Sequence, residues 1–177
     1  LHLKTMLAEL AFGYYETPSD AMNVIAVTGT NGKTTVTRWL AQALNALGKK
    51  AAVIGTLGYG APDDLKEHTG LTTPDVVGVH KILHELRQAQ FDTVCLEASS
   101  IGLEQRRLAC VSIDVAAYTN LSQDHLDYHG DMAAYARSKL ILASWPTLRS
   151  AVVNVDDAFG LEFQALVKCR NVECVSV

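Results

Sequence analysis

Apolar positions along the chain fall into short blocks that alternate between two periods. Val24-Ile25-Ala26-Val27 is a continuous apolar run with β-branched residues, which predicts a strand buried on both faces. After a glycine turn at residues 28–32, Val36, Leu40, Ala43, Leu44 and Leu47 recur at helical spacing and predict a helix over 33–47, stopped by Gly48. Residues 51–55 predict a second strand. Thr73 and Pro74 read as the cap and first residue of a helix whose apolar face is Val76, Val79, Ile82, Leu83 and Leu86. Residues 93–98 and 113–118 predict two more strands. Asp131 caps a helix that runs through Lys139 to about Ser144. A strand at 151–155, a helix near 159–167 and a strand at 172–177 follow. Ahead of this regular part, residues 4–11 predict a helix, and Pro18-Ser19-Asp20 closes an aromatic loop that suits a linker.

Strands that are near-continuous apolar runs and alternate with helices predict an α/β fold: a mostly parallel sheet covered by helices on both faces. In such sheets ligands bind beyond the carboxyl ends of the strands. The chemically interesting residues fall there. The glycine turn follows the first strand, Glu97 with Ser99 ends the third, and Asn120 through His125 follow the fourth.

Composition narrows the class without changing that picture. A chain of 177 residues, 49% of them hydrophobic, suits one globular domain with a sizeable core. The net charge of −4, with no basic stretch, argues against nucleic acid as a partner. No apolar run reaches the ~20 residues of a membrane span, and the N-terminal segment is too polar for a secretory signal. The sequence lacks an initiator Met, which suits an excised segment. Cys95, Cys110, Cys169 and Cys174 do not have metal-ligand spacing. The first two sit in or beside apolar runs and read as small core residues in a reduced cytoplasmic setting.

The turn reads Thr28-Gly29-Thr30-Asn31-Gly32-Lys33-Thr34-Thr35. Its glycines let backbone N–H groups point at phosphates, and the following helix presents its positive end. Lys33 supplies a cation for the β/γ-phosphates and Thr34 a hydroxyl for Mg²⁺. The general phosphate-loop pattern places a glycine where this chain has Val27; here the earlier glycine is Gly29. Other positions keep two readings. Glu97 is a metal ligand facing the loop or a carboxylate that reaches solvent. His125 is a metal ligand oriented by Asp124 or Asp127, or part of a surface loop; Asp127, His129 and Asp131 read as turn and cap residues. One of Arg106 and Arg107 suits an anion clamp. Thr72 and Thr73 bind ligand or cap a helix. Lys139 by itself reads as a solvated helix lysine.

Taken together the motifs resemble those of the Mur ligases, ATP-dependent amide-forming enzymes of peptidoglycan assembly related to folylpolyglutamate synthetase. The loop Gly29–Thr35, with its displaced glycine, resembles their phosphate loop. The segments from Glu97 to Leu103, from Gln105 to Arg107, from Thr119 to Asp131 and from Asn154 to Asp157 resemble the MurE type. The resemblance spans about residues 18–177. It implies that Gly29, Thr30, Asn31, Gly32, Lys33, Thr34 and Thr35 hold ATP with Asn120 nearby, and that Thr34, Glu97 and His125 serve Mg²⁺. It implies that Thr72, Thr73, Ser99, Gln105 and Arg107 hold UDP-muramoyl-dipeptide. It also implies that Lys139 carries a carbamate that organises the metal, which reverses the solvated reading and returns Arg106 to the surface. Lys33, Glu97, His125 and Lys139 form the implied catalytic set. Leu71 and Ile101 stand where relatives often have Asn and His.

The implied reaction adds a diamino acid, meso-diaminopimelate or L-lysine, through an acyl phosphate. The implied organisation is three domains, with residues 1–20 the tail of the first plus a linker and 21–177 the central ATP-binding domain of a cytoplasmic monomer. Missing N- and C-terminal domains would be its partners, with no nucleic acid and no membrane. A folylpolyglutamate synthetase shares the loop but is expected to have a glycine-rich sequence after the strand-end Glu. A non-catalytic ATP-binding module would need the loop but not Glu97, His125 and Lys139 together.

Overall fold

The computed structural model describes residues 2–67 and 70–177; Leu1, expected in the N-terminal segment, lies outside the described residues. α1 (His2–Tyr14) and a 3-10 turn (Pro18–Ala21) precede β1 (Asn23–Thr28), α2 (Lys33–Ala46), β2 (Ala51–Gly55), β3 (Gly58–Ala61) and β4 (Asp64–Lys66). Then come α3 (Val76–Gln88), β5 (Thr93–Glu97), α4 (Ser100–Glu104), β6 (Val115–Tyr118) and α5 (Leu126–His129). α6 (Met132–Ala143), β7 (Ser150–Val153), α7 (Ala158–Cys169) and β8 (Glu173–Ser176) follow.

The strands form one eight-stranded sheet in the order β4-β3-β2-β5-β1-β6-β7-β8. From β2 to β8 every pairing is parallel; β3 and β4 add an antiparallel hairpin at one edge. β1 lies between β5 and β6, at the point where the chain reverses its direction of travel across the sheet. A crevice opens at the carboxyl end of such a strand.

Side chains of the central strands alternate between two cores, as the period of 2 requires. Val24, Ala26, Ala52, Ile54, Val94 and Leu96 face a large core shared with α3, α6 and α7. Ala51, Val53 and Cys95 face a small one under α2. β2 and β5 are buried at every residue, which explains their unbroken apolar sequences. The cover is uneven further out: Val152 and Val175 pair across β7 and β8 and are 37% and 50% exposed.

Several local expectations shift. α2 packs Leu40 and Leu44 against the small core as expected, but it fully buries Thr37 and Ala41 while Leu47 is 80% exposed, so its sheet-facing stripe is centred slightly off the predicted one. The small residues beneath let the helix approach closely, and the contact falls on Ala41. Asp75, not Thr73, caps α3, accepting from the N–H groups of Val77 and Gly78. Val79, Ile82, Leu83 and Leu86 form its buried face as expected, joined by His80. Cys95 is buried but Cys110 is exposed, in a turn with φ 65°. All four cysteines are free. The hairpin β3–β4 was not predicted; it contains two glycines and no β-branched residue. α1 packs on α3, where Phe12 meets His80 edge-on at 5.7 Å and Arg87 donates to the Glu16 carbonyl. Among the described residues no helix is long and apolar enough to cross a membrane.

Candidate active site

The turn from β1 to α2 sits at the centre of the sheet edge, and its glycines are dictated by crowding at Gly29 and by backbone conformation at Gly32. Gly29 has φ 146°, and a Cβ there would meet Thr119 Oγ1 at 1.9 Å. Gly32, the residue before α2, has φ 86°. Val27 is fully buried in β1 opposite Glu97, so the chain has not yet begun to turn at the position where the general motif has glycine. The loop after β6 braces the turn. Thr119 Oγ1 donates to Asn31 O at 2.7 Å, and the N–H groups of Thr30 and Asn31 donate to Asn120 O and Oδ1. The Thr30 side chain points inward, accepting from Ser122 N at 2.9 Å. Helix geometry leaves the first N–H groups of α2, at Lys33, Thr34 and Thr35, without intrahelical partners.

Lys33 Nζ folds back on the turn, donating to Gly29 O at 2.8 Å and Thr30 O at 2.9 Å. Burial lowers its pKa, opposed by the carboxylates of Glu97 and Asp124. Thr34 Oγ1 donates to Glu97 Oε1 at 2.9 Å. Glu97 is only 2% exposed, so it does not reach for solvent. Thr56 holds it from the other side, donating its N–H to Oε1 and its hydroxyl to Oε2. Gly55 is required for this approach, since a Cβ there would lie 2.0 Å from Oε1.

The residues expected to hold substrate form a second cluster beside Glu97. Thr73 Oγ1 donates to Glu97 O at 2.8 Å, accepts from Ser99 N and lies 3.0 Å from Ser99 Oγ. Arg107 donates to Thr73 O and, through Nε and Nη2, to Gln105 Oε1. Thr72 accepts from Thr56. Arg107 is thus the built-in member of the arginine pair; Arg106 is exposed.

Lys139 reaches the turn from α6. It is 1% exposed, donates to Gly29 O at 2.9 Å and lies 4.3 Å from the Tyr135 ring centre. Burial first, and the like charge of Lys33 second, lower its pKa to about 7 against a smaller opposing effect of Asp124. The solvated reading of this lysine is therefore wrong. His125 stands apart: it is half exposed, 3.6 Å from Asp124, and no hydrogen bond or ion pair joins it to Glu97 or Thr34. His129 packs inside against Ser100 and Glu104, and Asp131 caps α6.

Thr56 and Tyr135 were missed, and Ser122 and Asp157 stood in the quoted segments 119–131 and 154–157 without a role of their own. Thr56 follows β2 at the same sheet edge and was within reach of the strand-end rule. Asp157 accepts from Tyr118 OH, from Leu121 N and from Gly160 N. It therefore ties α7 to the loop that braces the glycine turn. Asp157→Ala is expected to destabilise the fold by about 2–3 kcal/mol, a lost cap plus a lost buried partner. Chemical denaturation checks this, and an unchanged midpoint would refute the tie. An apolar pocket of about 650 Å³ lies away from this edge, lined by Leu103, Arg106, Cys110, Leu140 and Trp145 among others.

The family description "Mur ligase middle domain" matches residues 27–177. The chain belongs to the Mur ligase family. It is 51% identical over 160 residues to the UDP-N-acetylmuramoyl-L-alanyl-D-glutamate–2,6-diaminopimelate ligase of Ectopseudomonas mendocina (strain ymp), covering 90% of this chain and 33% of that protein. A ligase of the same name from Janthinobacterium sp. (strain Marseille) is 44% identical over 97% of this chain and 34% of its own length. The chain therefore spans about a third of the Mur ligases it matches. A solved structure of such a diaminopimelate ligase superposes with a TM-score of 0.85 at 35% identity, over 97% of this chain and 36% of that one. A Mycobacterium tuberculosis folylpolyglutamate synthase complexed with ADP and AMPPCP superposes at 0.76 with 18% identity, covering 97% of this chain and 46% of that one, a likeness of fold alone.

Proposed function

We propose that this chain is the central ATP-binding module of a cytoplasmic ligase. The ligase adds 2,6-diaminopimelate to UDP-N-acetylmuramoyl-L-alanyl-D-glutamate. One observation carries the reading: Glu97 bonds Thr34 of the phosphate loop through its side chain and Thr73 of the second cluster through its carbonyl. A nucleotide γ-phosphate at the loop and a carboxylate held by the Thr73–Ser99–Arg107 cluster would meet at this residue. The relatives' names favour diaminopimelate over lysine as the added amino acid.

The substrate carboxylate oxygen attacks the γ-phosphorus, the bond to the β,γ-bridging oxygen breaks, and ADP leaves. The amine of the diamino acid then attacks the acyl carbon, phosphate departs, and the amine loses a proton as the amide forms. Lys33 offers its cation to the γ-phosphate oxygens as charge moves toward ADP, and the first amides of α2 point at the same group. Arg107, locked by Gln105 and Thr73, orients the carboxylate. Hydroxyl and carboxylate oxygens 2.9 Å apart at Thr34 and Glu97 suit a hard cation. Among the described residues no cluster of three His, Cys, Asp or Glu side chains forms a self-sufficient cage. That fits Mg²⁺, which takes few protein ligands and completes its shell with phosphate and water. Thr34 and Glu97 would hold it, and it would supply charge neutralisation.

Lys139 is proposed to carry a carbamate. Its neutral amine adds to CO₂, a C–N bond forms, and one N–H proton is released. Burial beside the loop and the lowered pKa support this, since only the unprotonated amine reacts. Further domains of the same protein, N- and C-terminal to this one, would bind the UDP group and select the amino acid. The segment before β1 would be the tail of the first, and the enzyme would act as a monomer.

The test is ADP release by the full-length protein. It is expected to depend on UDP-muramoyl-dipeptide and diaminopimelate together. Release driven instead by a folate substrate, or ATP binding without any turnover, would replace this reading.

A further inference from the structure

We propose that Tyr135 is a positioning residue that holds the phosphate loop and Lys139 in register. Tyr135 is 1% exposed, and its hydroxyl lies 3.0 Å from Thr30 Oγ1. Its ring lies 4.3 Å from Lys139 Nζ, and that Nζ donates to Gly29 O at 2.9 Å. Residues four apart on a helix stand on one face. Two consecutive turns of α6 thus grip two consecutive residues of the loop, Thr30 through Tyr135 and Gly29 through Lys139.

The ring is itself pinned. His129 packs on it at 5.3 Å and His125 meets it edge-on at 6.2 Å. Thr30 cannot turn away, because Ser122 brackets it with its N–H and its carbonyl. A shift of the loop on nucleotide entry therefore reaches Lys139 by two links, directly through Gly29 O and through the Tyr135 ring.

The arrangement also has a charge preference, which rests on the carbamate reading of Lys139. An aromatic face attracts an ammonium and repels an anion. Once Nζ carries a carboxylate, the ring keeps that group off its own face and leaves it the side of the loop. Tyr135 then sets where the negative charge stands, without touching substrate.

The two halves of the side chain can be tested separately in the full-length enzyme. Tyr135→Phe removes the hydroxyl and keeps the ring. It is expected to raise KM for ATP about tenfold, the effect of one buried hydrogen bond, with kcat within about twofold. Its ¹³C carbamate signal in labelled bicarbonate should match that of wild type. Tyr135→Leu removes both parts. It is expected to lower kcat by about thirtyfold as well, to weaken the carbamate signal and to require more bicarbonate for half-maximal activity. Wild-type KM for ATP in Tyr135→Phe overturns the loop half of the proposal. An unchanged signal and bicarbonate requirement in Tyr135→Leu overturn the lysine half. If the two variants lose activity only in step with a lower Tm, the role is structural and the proposal fails. Absence of any carbamate signal in the wild-type enzyme overturns the reading of Lys139 itself and, with it, the lysine half; KM for ATP in Tyr135→Phe still decides the loop half.

Discussion

Lys33→Ala in the full-length enzyme is expected to abolish ADP formation, with a loss of at least about a thousandfold, the scale of removing one preorganised charge partner from a reacting centre. Among the described residues Lys33 Nζ hydrogen-bonds to the turn itself, at Gly29 O and Thr30 O. Both acceptors belong to the segment that would surround the phosphates, so the cation is already stationed where negative charge would arrive. The substitution removes charge without disturbing the core, because Lys33 sits at the first residue of α2 and is only partly buried. Circular dichroism should therefore match wild type while ADP release, measured at saturating ATP, disappears. Lys33→Arg is expected to rescue little, since a planar guanidinium does not fit a space shaped for a compact ammonium. Normal turnover of Lys33→Ala would sink the assignment of this loop as the nucleotide site.

The second large effect is expected at Lys139. Lys139→Ala should cut activity by at least about a hundredfold, the scale of one lost electrostatic stabiliser, and short-chain carboxylic acids should restore part of it. The buried side chain leaves a space beside Tyr135 and Gly29 into which a small acid can bring back a carboxylate. The choice of rescuing agent is what makes the test sharp. Rescue by acetate or propionate supports an anion at this position. Rescue by short amines, with none from acids, would mean that the residue acts as the cation that bonds Gly29 O. Full activity without any addition would remove Lys139 from the mechanism.

Much of the candidate site was legible before its geometry was known, because a turn built for phosphate would impose a local pattern. The glycine turn, the lysine and the paired threonines lie within eight consecutive residues, and the strand before and helix after them follow from short-range periodicity. The same holds for Asp131 as a cap and for β2 and β5 as buried strands. Where local pattern misled, a contact with another element had overridden it. Thr73 was read as a helix cap because Thr-Pro is a common helix start. Its hydroxyl is instead taken up by Glu97 and Ser99, and Asp75 caps α3. The face of α2 was read from Val36, Leu40, Ala43, Leu44 and Leu47; Leu40 and Leu44 do pack against the small core, but the fully buried positions are Thr37 and Ala41.

The sequence by itself determined the α/β class and the glycine turn, since these follow from spacing within a few residues, and its separate motifs together carried the resemblance to the family. Only the tertiary structure decided which of them meet. Thr34 and Glu97 are 63 positions apart, and Thr30 and Tyr135 are 105 apart. No periodicity encodes such distances. They are set by the parallel crossovers that bring β5 and β6 alongside β1, and β2 alongside β5, with their carboxyl ends at one edge, and by the packing of α6 that brings Tyr135 and Lys139 onto the turn. The choice of Arg107 over Arg106 and the burial of Lys139 were decided in the same way, by which side chain the surrounding backbone left room to bond.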